Sequence, residues 1–86
     1  MTTEKTYNGW KNRATWNLVL WAENDYELYQ WIRENKISSL YRLRKELQTV
    51  GGYLERFKDE TPYGYRWADP TVSESEVNTA LIEMVI

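Results

Sequence analysis

The chain has 86 residues, of which 42% are hydrophobic and 28% charged. That is globular composition and room for one domain spanning 1–86, not two. There is no cysteine and no histidine, which excludes disulfides, thiol chemistry, Cys or His metal ligation and imidazole acid–base catalysis. A net charge of −2 argues against broad electrostatic capture of nucleic acid and is too mild for a DNA mimic.

No apolar run approaches the ~20 residues that span a bilayer. The opening Met-Thr-Thr-Glu-Lys-Thr lacks the apolar stretch of a signal peptide. The expectation is a protein of the cytoplasm with no membrane partner. Residues 1–7 are polar and read as flexible. Asn8-Gly9 is a turn signal, and Asn12 is placed to cap a helix starting near Arg13. From Ala14 to Ala22 only Thr15 and Asn17 are polar. The run alternates like a strand and also fits helical spacing. Helix is the better reading, because few of its residues are β-branched. Its tryptophans Trp16 and Trp21, with Trp31 further on, are expected in the core. A strand at 14–22 would make the fold α+β.

Asn24-x-x-Glu27 resembles a capping box and opens a second helix from Asp25 to about Asn35. Ser38 or Ser39 caps a third. There Leu40, Leu43, Leu47, Val50, Leu54 and Phe57 keep an a/d spacing straight through Gly51-Gly52. Two glycines inside a helix cost about 1 kcal/mol each. The unbroken phase nonetheless predicts one helix over 39–58, bent at the glycines and serving as the spine on which residues 16–31 pack. Thr61-Pro62-Tyr63-Gly64 is a turn, Asp69-Pro70 stops any helix, and Ser73-x-x-Glu76 caps a last helix to the C-terminus. Val77, Ala80, Leu81, Met84 and Val85 form its core face. The expected fold is all-α: a compact, single-domain bundle of four to five helices.

The opening Asn8-Gly9-Trp10-x-Asn12-x-x-Thr15-Trp16-Asn17, followed by Leu20-Trp21 and Asn24-Asp25, resembles a class of small, largely uncharacterised proteins. Bacteriophages, plasmids and some bacteria encode them. A Thr-Pro-x-Gly turn followed by Trp and Asp-Pro, here Thr61 to Pro70, is similar to the end of some members. The resemblance implies a phage or mobile-element accessory protein. It implies no reaction and no ligand residues. The expectation that follows is a non-catalytic inhibitor or modulator of a host or defence-system protein, of anti-CRISPR, anti-restriction or transcription-takeover type. That step is analogy of genetic context.

Candidate contacts come from the residues themselves. Tyr63, Tyr65, Arg66 and Trp67 crowd a loop, and Tyr, Trp and Arg are the types enriched at interface hot spots. They form a protein-binding epitope or cap the open end of the core. Trp10, beside polar neighbours, either staples its loop to the helix or faces a partner. The different-class reading is nucleic-acid binding by Arg42, Lys45 and Arg56 on one side of the third helix, with Tyr41 and Tyr53 nearby. Met84-Val85-Ile86 docks on its own core or makes a homodimer contact. Without histidine or a phosphate loop, no catalytic set, cofactor or metal site is expected.

Overall fold

The computed structural model describes residues 9–86, and the predicted flexibility of residues 1–7 lies outside them. Asn12 takes extended backbone angles, and its Oδ1 accepts from the Thr15 amide at 2.9 Å and from the Thr15 hydroxyl at 2.7 Å. This cap starts helix α1, Arg13–Asn24, so residues 14–22 are helical. Its inward face is small and aliphatic: Ala14, Leu18, Val19 and Ala22 are buried, with polar Thr15 and Asn17 beside them. Trp16 and Trp21 are half-buried, not enclosed. The small residues let neighbouring helices close on α1 and leave the wide rings at its flanks.

Asp25 ends α1 and caps α2, Tyr26–Glu34, by accepting from the Leu28 amide at 3.0 Å. The cap is therefore Asp25, not Asn24, whose side chain turns back to donate to the Leu20 carbonyl at 2.9 Å. Leu28 and Ile32 of α2 are buried; Trp31 is half-buried. Helix α2 closes with Lys36 in a left-handed conformation, φ +51°. The Ile37 amide then reaches the Ile32 carbonyl at 3.0 Å and that of Lys36 the Arg33 carbonyl at 3.2 Å. This is the paired-bond C-terminal motif that usually carries glycine.

Ser39 caps α3, Leu40–Leu47. The predicted 39–58 helix is broken here. Gly51 is extended (φ −122°), Gly52 is left-handed (φ +67°), and a short 3-10 helix runs Gly52–Phe57. The a/d phase survives the break because both segments line the same core: Leu40, Leu43, Leu47, Leu54 and Phe57 are buried and Val50 half-buried. Periodicity recorded which side chains point inward, and not that one axis carried them.

Helix α4, Glu74–Val85, starts at Ser73, whose Oγ accepts from the Glu76 amide at 3.3 Å. The reciprocal half of the capping box is absent. The Ser73 amide donates to Thr15 Oγ1 at 2.9 Å, and the Glu76 carboxylate accepts from the Lys11 amide at 3.0 Å. Val77, Ala80, Leu81 and Met84 are buried. Helix α4 packs on α1, α2 and α3 and is the spine in place of 39–58. The result is an all-α domain, with five helices among the described residues, four α and one 3-10. Among the described residues the extended pairing is confined to two-residue bridges such as Glu60 with Arg66. No helix in them is long and apolar enough to cross a membrane.

Candidate interaction surfaces

The hairpin that joins the 3-10 helix to α4 decides which rings are available for contact. Gly64, left-handed at φ +92°, donates to the Thr61 carbonyl at 2.8 Å, and the Thr61 amide donates to the Tyr65 carbonyl at 2.9 Å. This closes a three-residue loop of the kind that needs glycine at the left-handed position. Tyr63 stands at its tip, 61% exposed. Tyr65 is half-buried and Arg66 exposed. Trp67, however, is only 1% exposed, and its indole N–H donates to the Phe57 carbonyl at 2.7 Å. Of the residues expected to form an epitope, Trp67 is a core residue. The indole combines a large apolar body with one donor, and here both are consumed inside.

A different set of rings is contiguous. Trp21 meets Tyr63 edge-on, centroids 5.6 Å apart at 76°, and lies 6.0 Å from Phe57. Tyr53 is 6.3 Å from Phe57. The Tyr53 hydroxyl donates to Asp25 Oδ2 at 2.7 Å, and the Arg56 guanidinium sits 3.9 Å over the Tyr53 ring. That hydrogen bond to Asp25, reinforced by partial desolvation and the carboxylate charge, raises the Tyr53 pKa. Leu20, Trp21, Asn24 and Asp25 line a shallow depression of about 240 Å³ beside these rings. Tyr26, also exposed, follows Asp25 directly. Of this surface the sequence marks Tyr63 alone as a protein-contact candidate, since Trp21, Tyr53 and Arg56 come from α1 and the 3-10 helix and no local pattern joins them to the hairpin.

Trp10 lies elsewhere. It is half-buried on a groove of about 450 Å³ with Glu23, Glu76, Thr79 and Glu83. Burial, and then the charge of Glu83, raise the Glu23 pKa.

Arg42, Lys45 and Arg56 do not make one basic face. Arg42 is held by Glu46 at 2.6 Å and by the Lys36 carbonyl at 3.0 Å. Arg56 belongs to the 3-10 helix, against Tyr53. Lys45 instead lines a cleft of about 240 Å³ with Arg44, Gln48, Lys58, Asp59, Arg66 and Trp67. Among the described residues no cluster of three or more Asp or Glu is arranged to hold a metal ion.

Asn12, Thr15 and Asn17 of the opening motif act structurally. Asn12 Nδ2 donates to the Thr71 carbonyl at 2.7 Å, Thr15 Oγ1 accepts from the Ser73 amide, and Asn17 Oδ1 accepts from the Thr61 hydroxyl at 2.7 Å. Each pins a distant loop to α1. A motif that holds the fold together should mark a family, and the profile of a family of unknown function, DUF7249, matches residues 3–85. The chain belongs to DUF7249. No curated protein and no solved structure matches it. For this DUF7249 chain the geometry of its surfaces is therefore the ground for a functional reading.

Proposed function

We propose that the protein acts without catalysis, by binding a host protein through the ring surface of Trp21, Tyr53, Arg56 and Tyr63. The observation that carries this is the packing of these side chains. An exposed Tyr63 leans edge-on against Trp21, and Arg56 stacks on Tyr53, which Asp25 holds in place. Aromatic and arginine anchors fixed before binding lose little side-chain entropy on contact, and these residue types dominate interface energetics.

The resemblance of the opening to phage and plasmid proteins supports a mobile-element role. The partner is then a factor of the host cytoplasm, and the effect is inhibition or modulation by covering a working surface. CRISPR effectors, restriction complexes and transcription machinery are the target classes to test first. Trp10, Tyr65 and Arg66 remain outside this surface as secondary contacts. The exposed Ile82 of α4 and Ile86 just after it are the place for a homodimer contact.

The test is capture from host lysate with tagged protein, read by mass spectrometry, comparing wild type with Tyr63→Ala and Arg56→Ala. A specific partner whose recovery falls about tenfold or more in either folded variant supports the reading. A partner retained equally by both variants overturns this surface, and absence of any specific protein partner overturns the function.

A further inference from the structure

The cleft between α3 and the hairpin concentrates positive charge in a protein whose net charge is negative. Arg44, Lys45, Lys58 and Arg66 line it, with Asp59 the one carboxylate among its walls. None of the four cations is ion-paired among the described residues, in contrast to Arg42, which Glu46 neutralises. The walls are fixed. Gln48 Nε2 donates to the Lys58 carbonyl at 2.9 Å and to Asp59 Oδ1 at 3.1 Å, so α3 is tied to the segment after the 3-10 helix. Asp59 is thereby occupied within the wall. The floor is Trp67, held by Phe57 through its indole and by the Asp59 carbonyl through its own amide at 3.2 Å. Like charges gathered on a rigid frame repel one another, and a bound anion relieves that repulsion.

Beside the cleft stands Tyr41, 56% exposed, with the Arg44 guanidinium 6.0 Å and the Lys45 ammonium 5.4 Å from its ring centre. A cationic channel for phosphates next to an aromatic face for a base is how single strands are held without sequence readout. A concave cleft of about 240 Å³ takes one backbone, whereas duplex DNA is read by elements that protrude into its grooves.

We propose that Arg44, Lys45, Lys58 and Arg66, with Tyr41 at the lip, form a binding site for single-stranded nucleic acid. The site goes beyond the protein-binding reading and shares no residue with the ring surface. Of the three cations that a single basic helix face would use, it contains Lys45 alone.

The test is fluorescence anisotropy of labelled oligothymidylate and oligouridylate, each about ten nucleotides long, within the site sizes of single-strand binders. Three to four phosphate contacts on a single strand predict that affinity falls roughly 20- to 50-fold between about 50 and 200 mM salt. Arg44→Glu with Lys58→Glu lowers affinity at least about tenfold and flattens the salt dependence. Tyr41→Ala lowers it at least about fivefold with the salt slope unchanged. Arg42→Ala leaves it within about twofold, because that cation is already paired. Circular dichroism confirms that each variant is folded. If the double reversal unfolds, Lys45→Gln with Lys58→Gln replaces it, with the same direction expected.

No salt-dependent binding of either oligonucleotide overturns the proposal. So does a folded charge variant that binds like wild type, or a loss in Arg42→Ala as large as in the reversal. If oligoglutamate of equal charge competes as well as unlabelled oligonucleotide, the cleft is a receptor for acidic protein segments and the strand assignment falls.

Discussion

At the residue scale, Trp67 and Glu23 show environment overriding residue type. Trp67 sits among Tyr, Gly and Arg in a stretch that reads as a loop, yet it is enclosed and bonded to the Phe57 carbonyl. Trp67→Phe removes the donor and leaves that carbonyl without its partner. Denaturant unfolding should show a loss of about 1–3 kcal/mol, with no effect on partner capture beyond the stability loss. Glu23 is the opposite kind of case, a carboxylate at the surface whose pKa is raised by partial burial and by Glu83. A raised pKa means that the folded state binds the proton more tightly than the unfolded chain. This contribution is present below the unfolded value and is lost as pH rises through the folded one. Glu23→Gln should therefore gain stability relative to wild type on going from about pH 4 to pH 7. Melting temperatures of both proteins across that range measure it, and a gap that does not widen toward neutral pH contradicts the assigned cause.

At the element scale, the decisive feature is the break after α3. Helix α3 has already ended at Leu47, and Gly51-Gly52 starts the 3-10 turn, with Gly52 at φ +67°. A methyl group there meets no atom within 4 Å, so any penalty comes from the backbone alone. Gly52→Ala should destabilise by about 1 kcal/mol, because L residues avoid that conformation. Had residues 39–58 been one helix, the same substitution would have stabilised by about 1 kcal/mol. The sign of the change, read by urea titration, separates the two architectures. The helix caps at Asn12 and Ser73 were legible beforehand, and the third was narrowed to Ser38 or Ser39, because a cap is a local bond between a side chain and an amide three residues on. The break was not, because the a/d pattern on both sides of it is set by a shared core.

At the scale of the whole molecule, α1 is the hub for the loops and α4 for the helices. The bond between Asn17 and Thr61 spans 44 positions and is fully buried. Its removal loosens the hairpin that carries Tyr63 and Arg66. Asn17→Ala and Thr61→Val should each cost about 1–2 kcal/mol. Their double mutant should fall short of additivity by about 1 kcal/mol, the mark of direct coupling. Strict additivity would mean that the two residues act independently. The same long reach explains how much of the interaction surfaces could be read in advance. The turn at Thr61–Gly64 was legible, but whether Tyr63, Tyr65, Arg66 and Trp67 faced outward or capped the core was open, and the structure divides them, with Tyr63 and Arg66 outside and Trp67 inside. The ring surface joins residues 21, 53, 56 and 63, and the basic cleft joins 44, 58 and 66, which no spacing rule brings together. The amino-acid sequence by itself determined the helical class, the caps at Asn12 and Ser73 and the aliphatic positions that face inward, all of which follow from local hydrogen bonding and apolar periodicity. Only the tertiary structure decided that the 39–58 run folds back on itself, that Trp67 is inside, and which rings and cations meet. Those outcomes depend on how separate segments share one small core, and that core has room for one fully enclosed tryptophan, supplied by the hairpin that closes over it.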